Sequence, residues 1–229
     1  MLFKKFLISR IVLAFRENKI FINRLILDYA KTHDILYILD VGCGNGENTK
    51  IILKDLNNYH LYGLDMVDVC ENKLLKYKKI DLESNKFPFE SNKFDIVYSN
   101  QVIEHILNKD KLISECHRVL KNGGLFIIST ENIASFDNLI SLLFGQEPIT
   151  QHTGNKFMTS SFFSPHFMEK VTEGNKFAHK NVCSYFGLIR LVKLNGFSAV
   201  KIKSFGNVFW LVEKILPIYN RIITVYGTK

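Results

Sequence analysis

Short apolar runs alternate with amphipathic segments along most of this chain of 229 residues. The segments typical of strands are 35–41, 59–64, 79–82, 94–99, 125–130, 199–205 and 222–226. The segments with helical spacing of apolar residues are 48–56, 71–78, 112–120 and 185–194. Strands that alternate with helices form a parallel sheet covered on both faces, and ligands bind at the carboxyl ends of its strands. We therefore predict an α/β fold, doubly wound and Rossmann-like, in a single domain over residues 1–229.

Two regions depart from this alternation. Residues 1–30 place apolar side chains such as Phe3, Leu7 and Ile11 at helical spacing among lysines and arginines, so we predict an amphipathic helical cap. Its uncharged stretches are too short for a secretory signal core or a membrane span. Residues 131–180 begin with an amphipathic piece and then lose the rhythm. A connection of this length in a compact domain is usually functional, and we predict a lid over the active site.

The composition narrows the class of protein. Hydrophobic residues make up 47% and charged residues 23%, as in ordinary globular proteins. The formal net charge of +8 would suit nucleic acid, acidic substrates or an anionic membrane. The lysines are dispersed and no RNA-binding signature occurs, so we predict no nucleic-acid partner. The 4 cysteines lie far apart without metal-type spacing, which indicates reduced thiols and a cytoplasmic location.

A glycine-rich segment carries the clearest sign of chemistry. The sequence Asp40-Val41-Gly42-Cys43-Gly44-Asn45-Gly46 follows a predicted strand and precedes a predicted helix. Alternate glycines let the backbone turn tightly and approach a ligand, although a plain strand-to-helix turn would also use them. A dinucleotide site would need its third glycine one position later, where this chain has Glu47. Carboxylates at 40 and 47 would repel a pyrophosphate and favour a cationic ligand such as S-adenosylmethionine.

Further motifs follow in order. Asp65 ends the second predicted strand, where a carboxylate can accept hydrogen bonds from both ribose hydroxyls; a helix N-cap or a solvent-facing aspartate is the alternative. Ile80-Asp81-Leu82, 94–100 and 118–124 come next. With these motifs the chain resembles the class I S-adenosylmethionine-dependent methyltransferases, in the group that includes ubiquinone- and glycan-modifying O-methyltransferases. The resemblance is close over 35–130 and looser over 179–205.

The resemblance implies a fold, a cofactor and cofactor-binding residues. Members of this family have a seven-stranded sheet, mostly parallel with an antiparallel last strand. They transfer the methyl group of S-adenosylmethionine directly to a nucleophile and release S-adenosylhomocysteine. The cofactor-binding residues predicted in this way are Asp40, Gly42, Cys43, Gly44, Asn45, Gly46, Asp65, Met66, Asp81, Leu82, Asn100 and Gln101. Within this set the resemblance assigns Asp81 to the adenine amino group and the end of the fourth strand to the methionine moiety.

The segment after the fourth predicted strand bears on the methyl acceptor. Nitrogen methyltransferases that act on planar amides or bases usually carry an Asn/Asp-Pro-Pro-aromatic motif, whereas this chain has Ser99-Asn100-Gln101-Val102. The pair Glu104 and His105 follows and is frequent in the resembled group. A neutral imidazole can take the proton of an acceptor hydroxyl as the methyl group moves. We predict His105 as the general base and Glu104 as the residue that orients it or binds substrate, with packing under the lid as the alternative.

Three other histidines, His152, His166 and His179, lie in or beside the predicted lid. Each is an alternative general base. They are too scattered along the chain to indicate a metal site, and we predict none.

Three functions remain open. Residues 131–146 and 179–197 resemble the corresponding parts of methyltransferases from bacterial polysaccharide gene clusters, which favours a small-molecule or glycan hydroxyl as acceptor and a role in polysaccharide biosynthesis. A lipid-linked or quinone acceptor at the membrane surface is the alternative, because the N-terminal segment and 208–216 could lie peripherally in the interface. The same surfaces could instead cover the sheet or join a homodimer. A non-catalytic cofactor-binding protein is the third hypothesis.

Overall fold

The computed structural model describes residues 2–66, 71–151, 179, 181–206 and 210–229, without the side chains of 2–8 and 210–212. The helices are α1 (Leu2–Ala30), α2 (Glu47–Ile52), α3 (Lys109–Val119), α4 (Phe136–Leu143), α5 (Tyr185–Leu194) and α6 (Trp210–Ile215). The strands are β1 (Leu36–Val41), β2 (Tyr59–Asp65), β3 (Lys76–Lys79), β4 (Phe94–Asn100), β5 (Leu120–Glu131), β6 (Ser198–Phe205) and β7 (Ile222–Thr228). Short 3₁₀ turns cover Ile103–His105 and Pro217–Tyr219.

The strands form one sheet of 7 in the order β3-β2-β1-β4-β5-β7-β6. Neighbours from β3 through β5 run parallel, whereas β7 is antiparallel to both β5 and β6. The predicted seven-stranded, mostly parallel sheet is therefore confirmed. Strands β2 and β4 lie on opposite sides of β1 within the sheet, so the strand order reverses between β1 and β4. The carboxyl ends of β1 and β4 are therefore the switch point where ligands bind in such folds.

Adjacent residues of the central strands face opposite sides of the sheet, as a period of two requires. Ile38, Ile96 and Ile127 join the core under α1 and α2, whereas their neighbours Leu39, Val97 and Ile128 join the core under α3 and α5. All six side chains are fully buried. Near-continuous apolar runs are the signature of strands covered on both faces, and the doubly wound architecture is confirmed.

Helix α1 is a single helix of 29 residues. It buries a stripe at four-residue spacing, consisting of Ala14, Asn18, Ile22 and Ile26, each at most 1% exposed. This spacing aligns side chains along one helix face, and here that face packs on the sheet. Among the described residues, no helix is both long and apolar enough to cross a bilayer.

The predictions around β3 are wrong. The predicted helix at 71–78 and strand at 79–82 give way to a turn followed by β3, whose Lys76 to Lys79 pair in parallel with residues 62–65 of β2. Leu75 packs against Gly63, where an added Cβ would lie 2.3 Å from the leucine Cδ2. The lysine-rich segment, whose local pattern also suits a helix, thus forms a strand because it pairs with the edge of β2. Exposed lysines are typical of edge strands.

The predicted turn at 122–124 lies inside β5 instead. Its Gly123 has φ +74°, and the pairing of β4 with β5 shifts register between Phe94 and Ile96. This irregularity is a β-bulge, and strand pairing continues on both sides of it. Of the predicted lid, the structure describes 131–151 and 179, which include α4; residues 152–178 and 180, with His152 and His166, lie outside the described residues.

Candidate active site

The glycine-rich segment forms a left-handed backbone loop between β1 and α2. Gly42, Gly44 and Gly46 have φ values of +82°, +54° and +86°. An added Cβ on Gly42 would lie 2.2 Å from Val102 Cγ2, whereas a Cβ on Gly44 would meet no atom within 4 Å. Gly42 is therefore required for packing against the segment after β4. Gly44 presents bare backbone to open space, which is what a closely bound ligand needs.

Asp65, at the carboxyl end of β2, lies against this loop. Its carboxylate accepts hydrogen bonds from the backbone N–H of Gly44 and of Met66, both at 2.7 Å. A carboxylate oxygen can accept more than one hydrogen bond, and a ribose diol is the kind of donor that such a pair of oxygens accepts from. Met66 follows with its side chain 50% exposed, beside the same loop. The pair is well suited to hold the nucleoside end of a cofactor.

Asp40 lies beneath the loop and is buried. Its Oδ2 accepts hydrogen bonds from Thr49 Oγ1 and Tyr98 OH, both at 2.6 Å. The pKa of Asp40 is raised to about 6 overall. Burial and the charge of Asp65 raise this pKa by more than the two hydroxyl hydrogen bonds lower it. Asp40 thus links α2 and β4 to the loop. Because its carboxylate lies beneath the loop, its predicted interaction with a cationic ligand is electrostatic. Cys43 is also buried, while Asn45 is exposed and its backbone oxygen accepts from Glu71 N at 2.9 Å.

Asp81 and Leu82 follow β3 on the nucleoside side of the loop. Ile80 N donates to Asp65 O at 2.7 Å, which brings the two segments together. The exposed Asp81 carboxylate accepts from Glu83 N at 2.9 Å and from Ser84 Oγ at 2.5 Å. Leu82 is buried in the core. The predicted contact of Asp81 with adenine stays a prediction.

Asn100 and Gln101 end β4 beside the loop. Ser99 Oγ donates to Val41 O at 2.9 Å and so joins the ends of β4 and β1. Gln101 has a left-handed backbone, with φ +60°, and its N–H donates to Ser129 O at 3.0 Å. Both side chains are half-buried. They border the glycine loop on the side away from Asp65, which suits the methionine end of the cofactor.

The structure brings Glu104, His105 and His179 together next to this edge. One ligand atom from each of the three lies within 4.8 Å of the other two, and the rings of His105 and His179 are 4.9 Å apart in an edge-to-face arrangement. Glu104 is 1% exposed and accepts from Thr130 Oγ1 at 2.9 Å. Burial raises the pKa of Glu104 to about 7 against the opposing effect of His179. This carboxyl group therefore titrates near neutral pH.

The sequence indicated His179 only as an alternative general base. The structure gives its side chain defined partners. Its Nδ1 lies 2.6 Å from Thr150 O and 3.2 Å from Glu131 Oε2. Burial lowers the pKa of His179, but Glu131, Glu104 and the Thr150 carbonyl together raise it to about 9. His179 is therefore an imidazolium near pH 7, facing the buried carboxyl of Glu104.

Sequence reasoning missed Glu131, Asp137 and Arg221. Arg221 forms ion pairs with Asp137 and, at 3.5 Å, with Glu131 Oε1, and all three side chains are buried. Burial alone would raise the pKa of Glu131, yet Arg221 and His179 hold it below its usual value. A signal was present, since Glu131 follows one apolar run and Arg221 precedes another. Only the antiparallel pairing of β5 with β7 sets Glu131 opposite Ile222 and so next to Arg221.

Among the described residues, one group has the spacing to hold a metal ion, namely Glu104, His105 and His179. The prediction that the site works without a metal stays a prediction. For the nucleotide cofactor, the open backbone at Gly44 and the Asp65 carboxylate beside it fit the group that the sequence implied.

Comparison with known proteins identifies the class. Residues 39–128 match the family model described as a methyltransferase domain. Together with the sheet order and the loop at the end of β1, this match supports a class I S-adenosylmethionine-dependent methyltransferase, as the sequence motifs predicted. S-adenosylmethionine is the cofactor of this family.

Individual relatives refine the comparison. The chain is 29% identical over 156 residues to the mitochondrial ubiquinone biosynthesis O-methyltransferase of Rattus norvegicus, covering 60% of this chain and 43% of the relative. It is 31% identical over 103 residues to a probable S-adenosylmethionine-dependent methyltransferase of Mycolicibacterium smegmatis, covering 43% and 39%. The chain thus spans less than half the length of these curated relatives. In fold it is similar to a S-adenosylmethionine-dependent methyltransferase from Archaeoglobus fulgidus, with a TM-score of 0.57, 19% identity and 94% coverage of both chains.

Proposed function

We propose that this chain transfers the methyl group of S-adenosylmethionine to a hydroxyl oxygen of a small-molecule or glycan acceptor. The observation that carries the proposal is the cluster of Glu104, His105 and His179 at the carboxyl edge of the sheet. An imidazole, that of His105, next to a buried carboxyl group can remove a hydroxyl proton. The cluster lies beside the end of β4, where the methionine moiety is predicted.

In this proposal the chain's residues hold the cofactor by its two ends. The Gly44 backbone and Asp65 bind the nucleoside, and Asn100 borders the methionine moiety. When bound, S-adenosylmethionine supplies an electrophilic methyl group on a sulfonium. Catalysis then depends mainly on placing the acceptor oxygen in line with that methyl group.

The proton of the acceptor hydroxyl goes to His105. The cofactor would supply the methyl group and leave as S-adenosylhomocysteine, while the imidazole of His105 would take the proton that the acceptor oxygen releases. Glu104, whose carboxylate lies within 4.8 Å of the ring nitrogen, stabilises the imidazolium that results. His179 favours the charged form of Glu104, since its own positive charge lowers the pKa of that carboxyl group. Burial of Glu104 keeps its carboxylate away from competing water.

Two further observations support an oxygen acceptor. The relatives from Rattus norvegicus and Homo sapiens are ubiquinone biosynthesis O-methyltransferases, at 29% and 28% identity over 156 residues. The segment 99–102 lacks the prolines that planar-nitrogen methyltransferases usually carry. The resemblance of 131–146 and 179–197 to polysaccharide-cluster methyltransferases favours a sugar hydroxyl over a phenol.

The variant His105→Ala tests the chemistry. We expect turnover to fall by ~100-fold or more while the Kd for S-adenosylhomocysteine changes by less than about 2-fold, because the base touches the acceptor and not the nucleoside. The matched control is His60→Ala, an exposed histidine on β2. The acceptor is sought by incubating the protein with labelled cofactor and panels of nucleotide sugars, glycans and quinols. Normal turnover by His105→Ala would refute the base assignment, and failure of the wild-type protein to bind S-adenosylmethionine in calorimetry would favour a non-catalytic role.

A lipid or quinone acceptor at the membrane surface is the second candidate. It is favoured by exposed apolar side chains, with Val12 62%, Leu143 84% and Phe144 69% exposed, and by Arg16 on the outer face of α1. Flotation with vesicles of phosphatidylglycerol and phosphatidylcholine separates the candidates. Binding that is lost in Leu143→Ser/Phe144→Ser would favour the membrane acceptor, and absence of binding at moderate salt would remove it.

A further inference from the structure

One polar residue interrupts the apolar stripe that α1 packs on the sheet. Asn18 is 1% exposed and lies between Ala14 and Ile22 on the buried face of the helix. An amide in such a position is destabilising unless all of its polar atoms are hydrogen-bonded. Its bonds therefore indicate what the residue is for.

Every polar atom of the Asn18 side chain has a partner on the sheet. Its Nδ2 donates to Asn100 Oδ1 at 3.0 Å and to Ser129 Oγ at 3.2 Å. Its Oδ1 accepts from Thr224 Oγ1. The three partners belong to β4, β5 and β7, so a single side chain of α1 is linked to three neighbouring strands at their functional edge.

These bonds fix the orientation of the Asn100 amide. Its Oδ1 accepts from Asn18 Nδ2 and also from Ser129 Oγ at 2.6 Å, which uses both lone pairs of that oxygen. The Asn100 Nδ2 must then point the other way. Within the described part of the chain no oxygen accepts from that Nδ2, so the donor is available to a ligand.

Asn100 stands where such a donor would meet the cofactor. Two residues later, Val102 packs so closely on Gly42 that an added Cβ there would be 2.2 Å away. The end of β4 therefore flanks the glycine loop directly. The carboxylate of a bound methionine moiety is the acceptor that an outward-pointing amide at this position would bind.

We propose that Asn18 is a positioning residue, which turns the Asn100 amide so that its Nδ2 faces the methionine carboxylate of the cofactor. The proposal rests on the cofactor site described above. It gives α1 a role in cofactor recognition, in addition to covering the sheet.

The test compares two ligands that differ only at the methionine end. S-adenosylhomocysteine has the carboxylate, and 5′-methylthioadenosine lacks the whole amino acid. In Asn18→Asp an oxygen replaces the donor, so Asn100 must turn its Nδ2 towards residue 18. We expect the Kd for S-adenosylhomocysteine to rise by about 10- to 100-fold, the loss of one hydrogen bond to a charged group, and the Kd for 5′-methylthioadenosine to change by less than about 2-fold. Asn18→Leu, which removes the donor without adding charge, gives the answer if the aspartate variant fails to fold.

The matched control is Asn23→Asp on the same helix. Asn23 is also buried, and it donates to Ile52 O at 2.6 Å rather than to Asn100. We expect both Kd values to stay at the wild-type level in this variant. In an Asn100→Ala background, Asn18→Leu should cause no further loss for S-adenosylhomocysteine, because the effect passes through Asn100.

Two outcomes would overturn the proposal. Equal weakening of both ligands by the Asn18 variants would mean that Asn18 only holds the fold, and unchanged binding of both would mean that Asn100 does not depend on it. If the wild-type protein bound neither ligand, the cofactor site itself would be refuted, which is a different result from either.

Discussion

Alanine substitutions at Gly42 and Gly44 should separate the packing and the binding roles of the glycine loop. Both residues have positive φ, +82° and +54°, where alanine costs roughly 1–2 kcal/mol. At Gly42 the new Cβ would also lie 2.2 Å from Val102 Cγ2 and 2.8 Å from its Cγ1. Overpacking of this kind adds about 1–3 kcal/mol. We therefore expect Gly42→Ala to lower the free energy of unfolding by about 2–5 kcal/mol and Gly44→Ala by only about 1–2 kcal/mol.

Ligand binding should show the opposite order. The space beside Gly44 is open within 4 Å, and the proposed cofactor fills it, so Gly44→Ala should raise the Kd for S-adenosylhomocysteine by ~10-fold or more. The assays are urea unfolding at constant m-value and calorimetric titration of the folded variants. Val102→Ala in the Gly42→Ala background removes both γ carbons and should restore most of the lost overpacking energy. Equal destabilisation by the two glycine variants, or no rescue by Val102→Ala, would refute this account of the loop.

Four further outcomes are expected. Asp65→Ala should weaken S-adenosylhomocysteine binding by more than ~10-fold while the far-ultraviolet spectrum stays native, because the ribose loses its acceptor. Arg221→Met should lower the free energy of unfolding by about 3–5 kcal/mol, since it leaves two buried carboxylates without their cation. The pKa of His179 is raised from 6.5 to about 9, so the stabilisation by its charged form is complete below pH 6.5 and is lost as the pH rises through 9. The free energy of unfolding should therefore fall by about 3 kcal/mol between these pH values. The fall should be smaller in Glu131→Gln, which lacks the carboxylate partner of His179. Dialysis against a chelator should leave turnover unchanged, as the predicted absence of a metal requires.

Each of these has a contradicting result. Unchanged affinity in Asp65→Ala would remove the ribose assignment, and a stable Arg221→Met would show that the buried charges do not need one another. A free energy of unfolding that rises between pH 6.5 and pH 9 would refute the charged state of His179. Loss of turnover on chelation, restored by a divalent cation, would place an ion among the acceptor-side cluster of Glu104, His105 and His179.

The sequence was most informative where structure is local. The strands β1, β2 and β4 and the helix α5 lie within a residue or two of their predicted bounds. Each is a run long enough for its own periodicity to decide between helix and strand. At β3 the run is four residues of lysine and tyrosine, and its local pattern was overruled by pairing with β2. Edge strands of this kind depend on a partner that lies elsewhere in the chain.

The two halves of the site differ in the same way. The glycine loop that is predicted to hold the cofactor is contiguous, so its glycines were visible as a motif in the chain, and Asp65 was visible at the end of the next strand. The acceptor side joins Glu104 to His179 and Glu131 to Arg221, and the α1 contact joins Asn18 to Asn100 across 82 positions. The periodicity of apolar residues along the sequence does not indicate which distant residues form such pairs. They become neighbours only because parallel strands end at a common edge and β7 returns antiparallel beside β5.

The amino-acid sequence by itself determined the class of fold, most of its strands and helices, and the glycine loop after β1, because these depend on short-range patterns of apolar residues and glycine. The tertiary structure alone decided which side chains meet at the carboxyl edge of the sheet, since that depends on strand order and on which helix face packs on the sheet. The same tertiary contacts set the ionisation of the cluster: burial raises the pKa of Glu104 to about 7, whereas Glu131, Glu104 and the Thr150 carbonyl raise the pKa of His179 to about 9 against the effect of burial.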